Sequence, residues 1–253
     1  MSSLRIVPLV VERDIRILFS DSFLVGIMFA NFAIDLFITA VTFGNLIPRT
    51  TEVPNYFLYI APGSNLITAA VAAFQSGRDV WREKYIKDLT SYLLSLPTPR
   101  IVLALSRITG GVARSLIATF PGTLVISYLY GILFDPRIFA AYVIMGLFSL
   151  GIVGLSITIS AFASSIEVFV TIRSGIQLYL SFLSTLFYKT EVFQTSAPLL
   201  VPIVTSNPMT WAVEAFRSLQ GAHDILGPIS ILVAPSVAFA MLGTASYLYY
   251  AKL

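Results

Sequence analysis

The chain has 253 residues, of which 57% are hydrophobic and 11% charged, and its formal net charge is +3. An ordinary soluble domain is about 45–50% apolar, so the composition predicts a membrane protein and gives no sign of a nucleic-acid partner. The chain contains no cysteine, which excludes disulfides, thiolate metal sites and cysteine nucleophiles, and its single histidine, His223, cannot complete a metal site alone.

The N-terminal region predicts an interfacial helix rather than a cleaved signal peptide. Residues 1–22 mix basic and acidic side chains and lack a small-residue cleavage site. Within residues 4–20, the charges of Arg5, Glu12, Arg13 and Arg16 share one face of an otherwise apolar helix. This pattern is typical of an amphipathic helix in the membrane interface, beginning near Pro8, although a frayed tail is the alternative.

Six apolar runs are long enough to cross a membrane. About 20 residues of helix span a hydrocarbon core of ~30 Å. The runs are 23–43, 57–76, a segment within 101–130, 138–164, 168–188 and 228–250. Small residues at 68–77 and 146–165 indicate close helix packing, either within one subunit or between subunits. Most cations lie on one side of these spans, which predicts cytoplasmic termini. We therefore predict an all-α polytopic membrane protein, a single domain over 1–253, in the cell membrane.

The segment 189–227 lies between spans five and six and is predicted to re-enter the outer leaflet. Its prolines and two charged residues disfavour a seventh crossing. Asn207 and Pro208 are suited to the cap and first position of a short amphipathic helix. The residues singled out in this segment are Asn207, Pro208, Trp211, Glu214 and Arg217.

The sequence indicates no catalytic centre and no bound cofactor. It has no P-loop, no H-E-x-x-H and no G-x-S-x-G motif, so energy for transport must come from an ion gradient or another subunit. Asp35, in span one, is an ionisable residue at mid-membrane and marks a functional site, or else a structural pair with Arg114. An ATP-independent protein, either an ion-coupled carrier using Asp35 or an assembly scaffold, is the alternative function.

The loop at 77–100 combines charges of both signs with an apolar face. Leu89, Tyr92, Leu93 and Leu96 follow the i, i+3, i+4, i+7 spacing of one helical face, and two prolines follow. This pattern predicts a short helix presented to a protein partner. An ordinary solvated loop is the alternative.

Two motifs carry a resemblance to a family. "WREK…SYLLSLPTPR…LSRITGG" after span two and "NPMTWAVEAFRSLQGAHD" before span six resemble the membrane subunits of ABC-2 type exporters, which include drug-resistance and polysaccharide-export permeases. The resemblance implies a coupling helix around residues 88–96 that docks on a separate ATPase subunit, which binds ATP and Mg²⁺. The docking residues so implied are Arg82, Glu83, Asp88, Leu89, Tyr92, Leu93, Leu94 and Leu96.

The same resemblance implies the assembly and the type of transport. Two permeases, either identical copies or paralogues, would combine with two ATPase subunits. An exported substrate, hydrophobic or amphipathic, would pass between the permeases beside spans two and five.

Overall fold

A computed structural model describes residues 6–20, scattered positions between 26 and 38, and residues 56–86, 99–221 and 225–250. All regular structure in these ranges is helical. The helices are α1 (Ile6–Ser20), α2 (Tyr56–Tyr85), α3 (Arg100–Leu129), α4 (Arg137–Phe162), α5 (Ile166–Phe182), α6 (Thr190–Ser196), α7 (Val201–Ser206), α8 (Pro208–Ser218) and α9 (Leu226–Tyr250), with a 3₁₀ turn at Pro198–Leu200.

Four of these helices, α2, α3, α4 and α9, are long and apolar enough to cross a membrane. The described part of the chain therefore confirms the predicted all-helical, multi-pass architecture. Their bounds agree with predicted spans two, three, four and six to within a few residues, except at the end of α2. Predicted span one lies mostly outside the described residues, although its described positions are helical.

The helix α2 continues past the predicted end of span two. The sequence predicted a loop from residue 77, but the helix extends to Tyr85, and residues 87–98 lie outside the described part of the chain. At 1.5 Å per residue its 30 residues measure about 45 Å, which exceeds a hydrocarbon core of ~30 Å. The extra turns hold Trp81 and Glu83, whose side chains pack and form ion pairs with neighbouring helices. These contacts stabilise helix where charge alone suggested a loop.

The centre of the bundle is α4, which packs against α2, α3 and α9. Small residues make this close packing possible. A Cβ atom on Gly154 would overlap the backbone of Phe239 and Ala240 in α9, and one on Gly77 would overlap Ser156 in α4. Both small-residue runs therefore serve packing within the subunit at these positions.

The helix α5 ends at Phe182, six residues before the predicted end of span five. The chain then forms an irregular segment in which Ser184, Thr185 and Leu186 are buried. Buried irregular backbone is tolerated only where its polar groups find partners within the protein. Side chains from α2 and α8 provide these partners, as described below, and this is why helix is not required here.

The segment between α5 and α9 folds as the short helices α6, α7 and α8. As predicted, Asn207 caps α8 and Pro208 occupies its first turn. The helix α8 packs against α2, α4 and α9 and buries Met209, Val213 and Phe216 completely. Re-entry of this segment into the outer leaflet stays a prediction.

Candidate functional site

Arginine and tyrosine side chains connect the helices at two opposite ends of the bundle, and smaller polar contacts, such as that between Ser115 and Ser149, lie between these ends. We name the first the charged end, defined by Arg13, Glu83, Arg107 and Tyr247, where α2 and α9 finish and α3 begins. We name the second the aromatic end, defined by Tyr56, Tyr59, Tyr130 and Arg217, where α2 begins and α3 finishes.

Glu83 is the hub of the charged end. Its carboxylate accepts a hydrogen bond from Arg107 of α3 and another, at 3.4 Å, from Arg13 of α1. The Tyr247 side chain of α9 lies close enough to Arg107 to interact with it. The side chains of Glu83 and Arg107 are only 13% and 6% exposed, so the pair is largely shielded from water. Four helices thus meet at Glu83 and Arg107, two residues before α2 ends at Tyr85.

Trp81 provides a second connection at this end. Its indole Nε1 donates a hydrogen bond to the carbonyl oxygen of Ala163, at 3.1 Å, where α4 gives way to α5. Its ring also packs against Tyr85, with centroids 4.8 Å apart. A displacement of the last turns of α2 would therefore act directly on the α4–α5 connection.

Arg114 forms an ion pair with Asp79 of α2, and not with a residue of predicted span one. The Nη1 to Oδ2 distance is 2.6 Å, and the Arg114 side chain is 11% exposed. Asp35 lies outside the described residues, so both the functional and the structural hypotheses for it stay predictions. Arg114 already has an acidic partner, however, and so it does not require Asp35 for charge compensation.

Arg217 holds the aromatic end together. Its guanidinium donates to the carbonyl oxygen of Tyr59 at 3.0 and 3.1 Å, and to those of Thr185 and Leu186, both at 2.9 Å. The group also lies 3.4 Å from the Tyr59 ring centroid and 3.2 Å from Glu214 Oε1. One cation thereby satisfies the irregular backbone after α5 and fixes it to α2 and α8.

Asn207 makes a similar connection, between the end of α5 and the start of α8. Its Nδ2 donates to the carbonyl oxygens of Tyr179 at 3.0 Å and Leu183 at 2.7 Å, and its Oδ1 accepts from the Met209 amide at 2.9 Å. A single buried side chain thus caps both the last turn of α5 and the first turn of α8. The ends of the two helices are fixed to each other.

Other side chains complete the aromatic end. Tyr56 and Tyr130 donate through their hydroxyls to the carbonyl oxygens of Phe187 and Leu58. Arg137, at the start of α4, donates to the carbonyl oxygen of Leu219 at 3.0 Å and pairs with Asp135 at 2.9 Å. Hydrogen bonds from Arg137 hold the pKa of the partly exposed Asp135 carboxyl below its ordinary value.

The predicted site residues fall into three groups. Of the docking residues, Glu83 is buried in the charged end and Arg82 is exposed beside it. The docking residues Asp88, Leu89, Tyr92, Leu93, Leu94 and Leu96 lie outside the described residues. The five residues singled out in 189–227 come together around α8, where Trp211 Nε1 donates to the carbonyl oxygen of Thr205 at 2.7 Å. Among the described residues, no group of three or more His, Asp or Glu side chains could hold a metal ion.

Sequence reasoning did not single out Arg107 or Tyr59 as functional residues. Arg107 had a detectable signal, because a charge within an apolar span is costly and marks a partner or a function. Tyr59 had none, since an interfacial tyrosine is common and only the fold places Arg217 over its ring.

The comparisons with known proteins agree with this architecture. The family model described as ABC-2 type transporter matches residues 7–220, from α1 to just beyond α8. No curated protein matches the chain. The match includes the aromatic end and all of the charged end except Tyr247, and it ends before α9. The chain therefore belongs to the ABC-2 type transporter family and is a membrane-embedded permease component of an ABC-type transporter, not itself a catalytic subunit.

Proposed function

We propose that this permease is an exporter subunit whose charged end faces the cytoplasm and receives the motion of a separate ATPase through residues 88–96. The observation that carries the proposal is the Glu83 hub. It ties α1, α3 and α9 to the end of α2, immediately before the segment with the predicted docking face.

The contacts at the charged end suit a rigid lever. Transmission between distant sites requires packed elements that move together rather than a soft loop. A push on 88–96 would act on the final turns of α2, and the Glu83 ion pairs would pass it to α1 and α3. The Trp81 bond would pass it to the start of α5.

The contacts at the aromatic end are suited to an element that closes the transport path on the outer side of the membrane. Arg217 and Asn207 bond α8 to the end of α5, and Arg217 also bonds α2, so that these elements would move as one unit. In this proposal the chain crosses the membrane six times, both termini are cytoplasmic, and the segment containing α6, α7 and α8 re-enters the outer leaflet of the cell membrane.

The proposed assembly contains two ATPase subunits and a second permease, which is most simply an identical copy. The helix α5 has few contacts with the other described helices, and it exposes Val170, Ile172, Leu178 and Phe182. Its exposed face would border a path for a hydrophobic or amphipathic substrate between the two permeases.

The test is ATPase activity of the complex reconstituted in vesicles with its ATPase. Leu93→Asp or Leu94→Asp should abolish stimulation of ATP hydrolysis by the permease while membrane insertion stays normal. Phe134→Asp is the matched control, because Phe134 is 99% exposed at the opposite end of α3 and should tolerate the change. Coupled hydrolysis that survives both leucine substitutions contradicts the docking assignment.

A further inference from the structure

Two arginines converge between α2 and α5 near the charged end. The Cζ atom of Arg173, in α5, lies 5.9 Å from the ring centroid of Phe74 in α2. Phe74 and Arg78 are four residues apart and therefore share a face of α2, one turn from each other. The charges of Arg78 and Arg173 act on each other as like charges. Both side chains are partly buried.

The acids whose side chains are described on α1, the end of α2 and the start of α5 already have other partners. Asp79 pairs with Arg114, Glu83 with Arg107 and Arg13, and Glu12 with Arg16. Glu167, in the first turn of α5, is hydrogen-bonded by Ser165. Among the described residues, neither Arg78 nor Arg173 has an acidic partner.

The partial burial of two cations without an acidic partner among the described residues requires an explanation. A partly buried charge without an acidic partner is costly, and a second nearby charge of the same sign increases that cost. The Nε atom of Arg78 is buried and has no hydrogen-bond partner among the described residues. A guanidinium presents a planar set of donors that matches a phosphate or a carboxylate. An anion between the two side chains would offset both charges and satisfy the open donor.

We propose that Arg78 and Arg173 form a binding site for the anionic headgroup, phosphate or carboxylate, of an amphiphile that enters between α2 and α5. The inference rests on the proposed function, because it makes the exported substrate an acidic amphiphile taken from the cytoplasmic leaflet. The apolar side chains exposed along α5 provide the surface for its hydrocarbon part.

The chain contains its own reporter for this site. Trp81 lies one turn from Arg78 on α2, and the other tryptophan, Trp211, lies at the aromatic end. Lipids with brominated acyl chains quench tryptophan fluorescence at short range. We would place the purified permease in nanodiscs of phosphatidylcholine and titrate brominated phosphatidic acid or brominated phosphatidylcholine. Trp211 then contributes the same background in every variant.

The expected result is stronger quenching by the acidic lipid in the native protein. Arg78→Gln and Arg173→Gln should each weaken this preference about tenfold, since a charged hydrogen bond to the headgroup is worth roughly that factor. Arg173→Lys keeps the charge and should retain part of the preference, which separates binding from misfolding. Arg100→Gln is the matched control, because Arg100 is an exposed cation at the same end of the bundle, and it should leave the preference unchanged.

Three results would overturn the proposal. They are equal quenching by the two lipids, a preference that survives the double substitution of Arg78 and Arg173, and an equal loss in Arg100→Gln, which would indicate general surface attraction. Displacement of the acidic lipid by inorganic phosphate would assign the site to a soluble anion and overturn the amphiphile. The titration needs no ATPase, so failure of coupling in Leu93→Asp and failure of headgroup binding are separate outcomes.

Discussion

Removing the charge of Glu83 is the sharpest perturbation of the charged end. Glu83→Gln keeps the size of the side chain but leaves Arg107, which is 6% exposed, and Arg13 without their carboxylate. Breaking a buried pair from one side costs about 3–5 kcal/mol because an uncompensated charge remains. We expect a loss of stability in this range, together with weaker coupling to ATP hydrolysis.

The exposed pair of Glu12 and Arg16 on α1 is the natural comparison. Its side chains are 57% and 80% exposed, and exposed pairs of this kind contribute about 0.2–1 kcal/mol. Arg107→Gln should cost less than Glu83→Gln, because Glu83 then keeps Arg13. The assay is a double-mutant cycle on each pair, followed by thermal or denaturant unfolding in detergent micelles.

One outcome of the double-mutant cycle would contradict this prediction. If the coupling energy between Glu83 and Arg107 is no larger than that between Glu12 and Arg16, burial does not strengthen the interaction. The hub would then be an incidental contact, and the proposed route from the docking segment into α3 would fail.

Further predictions concern packing and the aromatic end. Gly154→Ala should destabilise the bundle by about 1–3 kcal/mol, because the added methyl group meets the α9 backbone, whereas Gly146→Ala has open space around it and should be tolerated. The measurement compares the unfolding midpoints of the two variants, and equal midpoints would refute the close contact between α4 and α9. Asn207→Ala should cost more than the ~1 kcal/mol of an ordinary cap, because the α5 carbonyls lose their donor as well. Ser165→Ala is the comparison in the same melt, because it removes the cap of α5 and the bond to Glu167 but no bond to a second helix. Arg217→Lys should loosen the aromatic end, because an ammonium cannot donate to three carbonyl groups and Glu214 as the planar guanidinium does. The segment after α5 should then be proteolysed faster, and native-like resistance would contradict the bonding of that segment by Arg217.

The spans and the cap of α8 could be predicted from sequence because their signals are local. A run of about 20 apolar residues is sufficient for a span, and Asn207 followed by Pro208 is sufficient for a helix start. The end of α5 could not be predicted in this way. Residues 183–188 are as apolar as the helix before them, and the helix ends where Arg217 and Asn207, distant in sequence, supply partners for the backbone.

The charged run at 78–84 is a second place where local sequence did not predict the structure. Its composition suggested a loop, and its acids and bases gave no indication of which would pair. The fold selects Asp79 for Arg114 and Glu83 for Arg107, because α3 runs beside the extended α2. Ion pairs between helices depend on register, which is a property of the packed bundle rather than of either segment.

Proximity between residue 93 and the ATPase tests the central claim most directly. Because the chain contains no cysteine, Leu93→Cys introduces a unique thiol, and Phe134→Cys places the matched control at the opposite end of α3. The measurement is cross-linking in native membranes with a short thiol-reactive photo-cross-linker, followed by identification of the linked protein. Our account predicts that Leu93→Cys captures a P-loop ATPase and that Phe134→Cys does not. Capture of the ATPase from position 134, or from neither position, would contradict it.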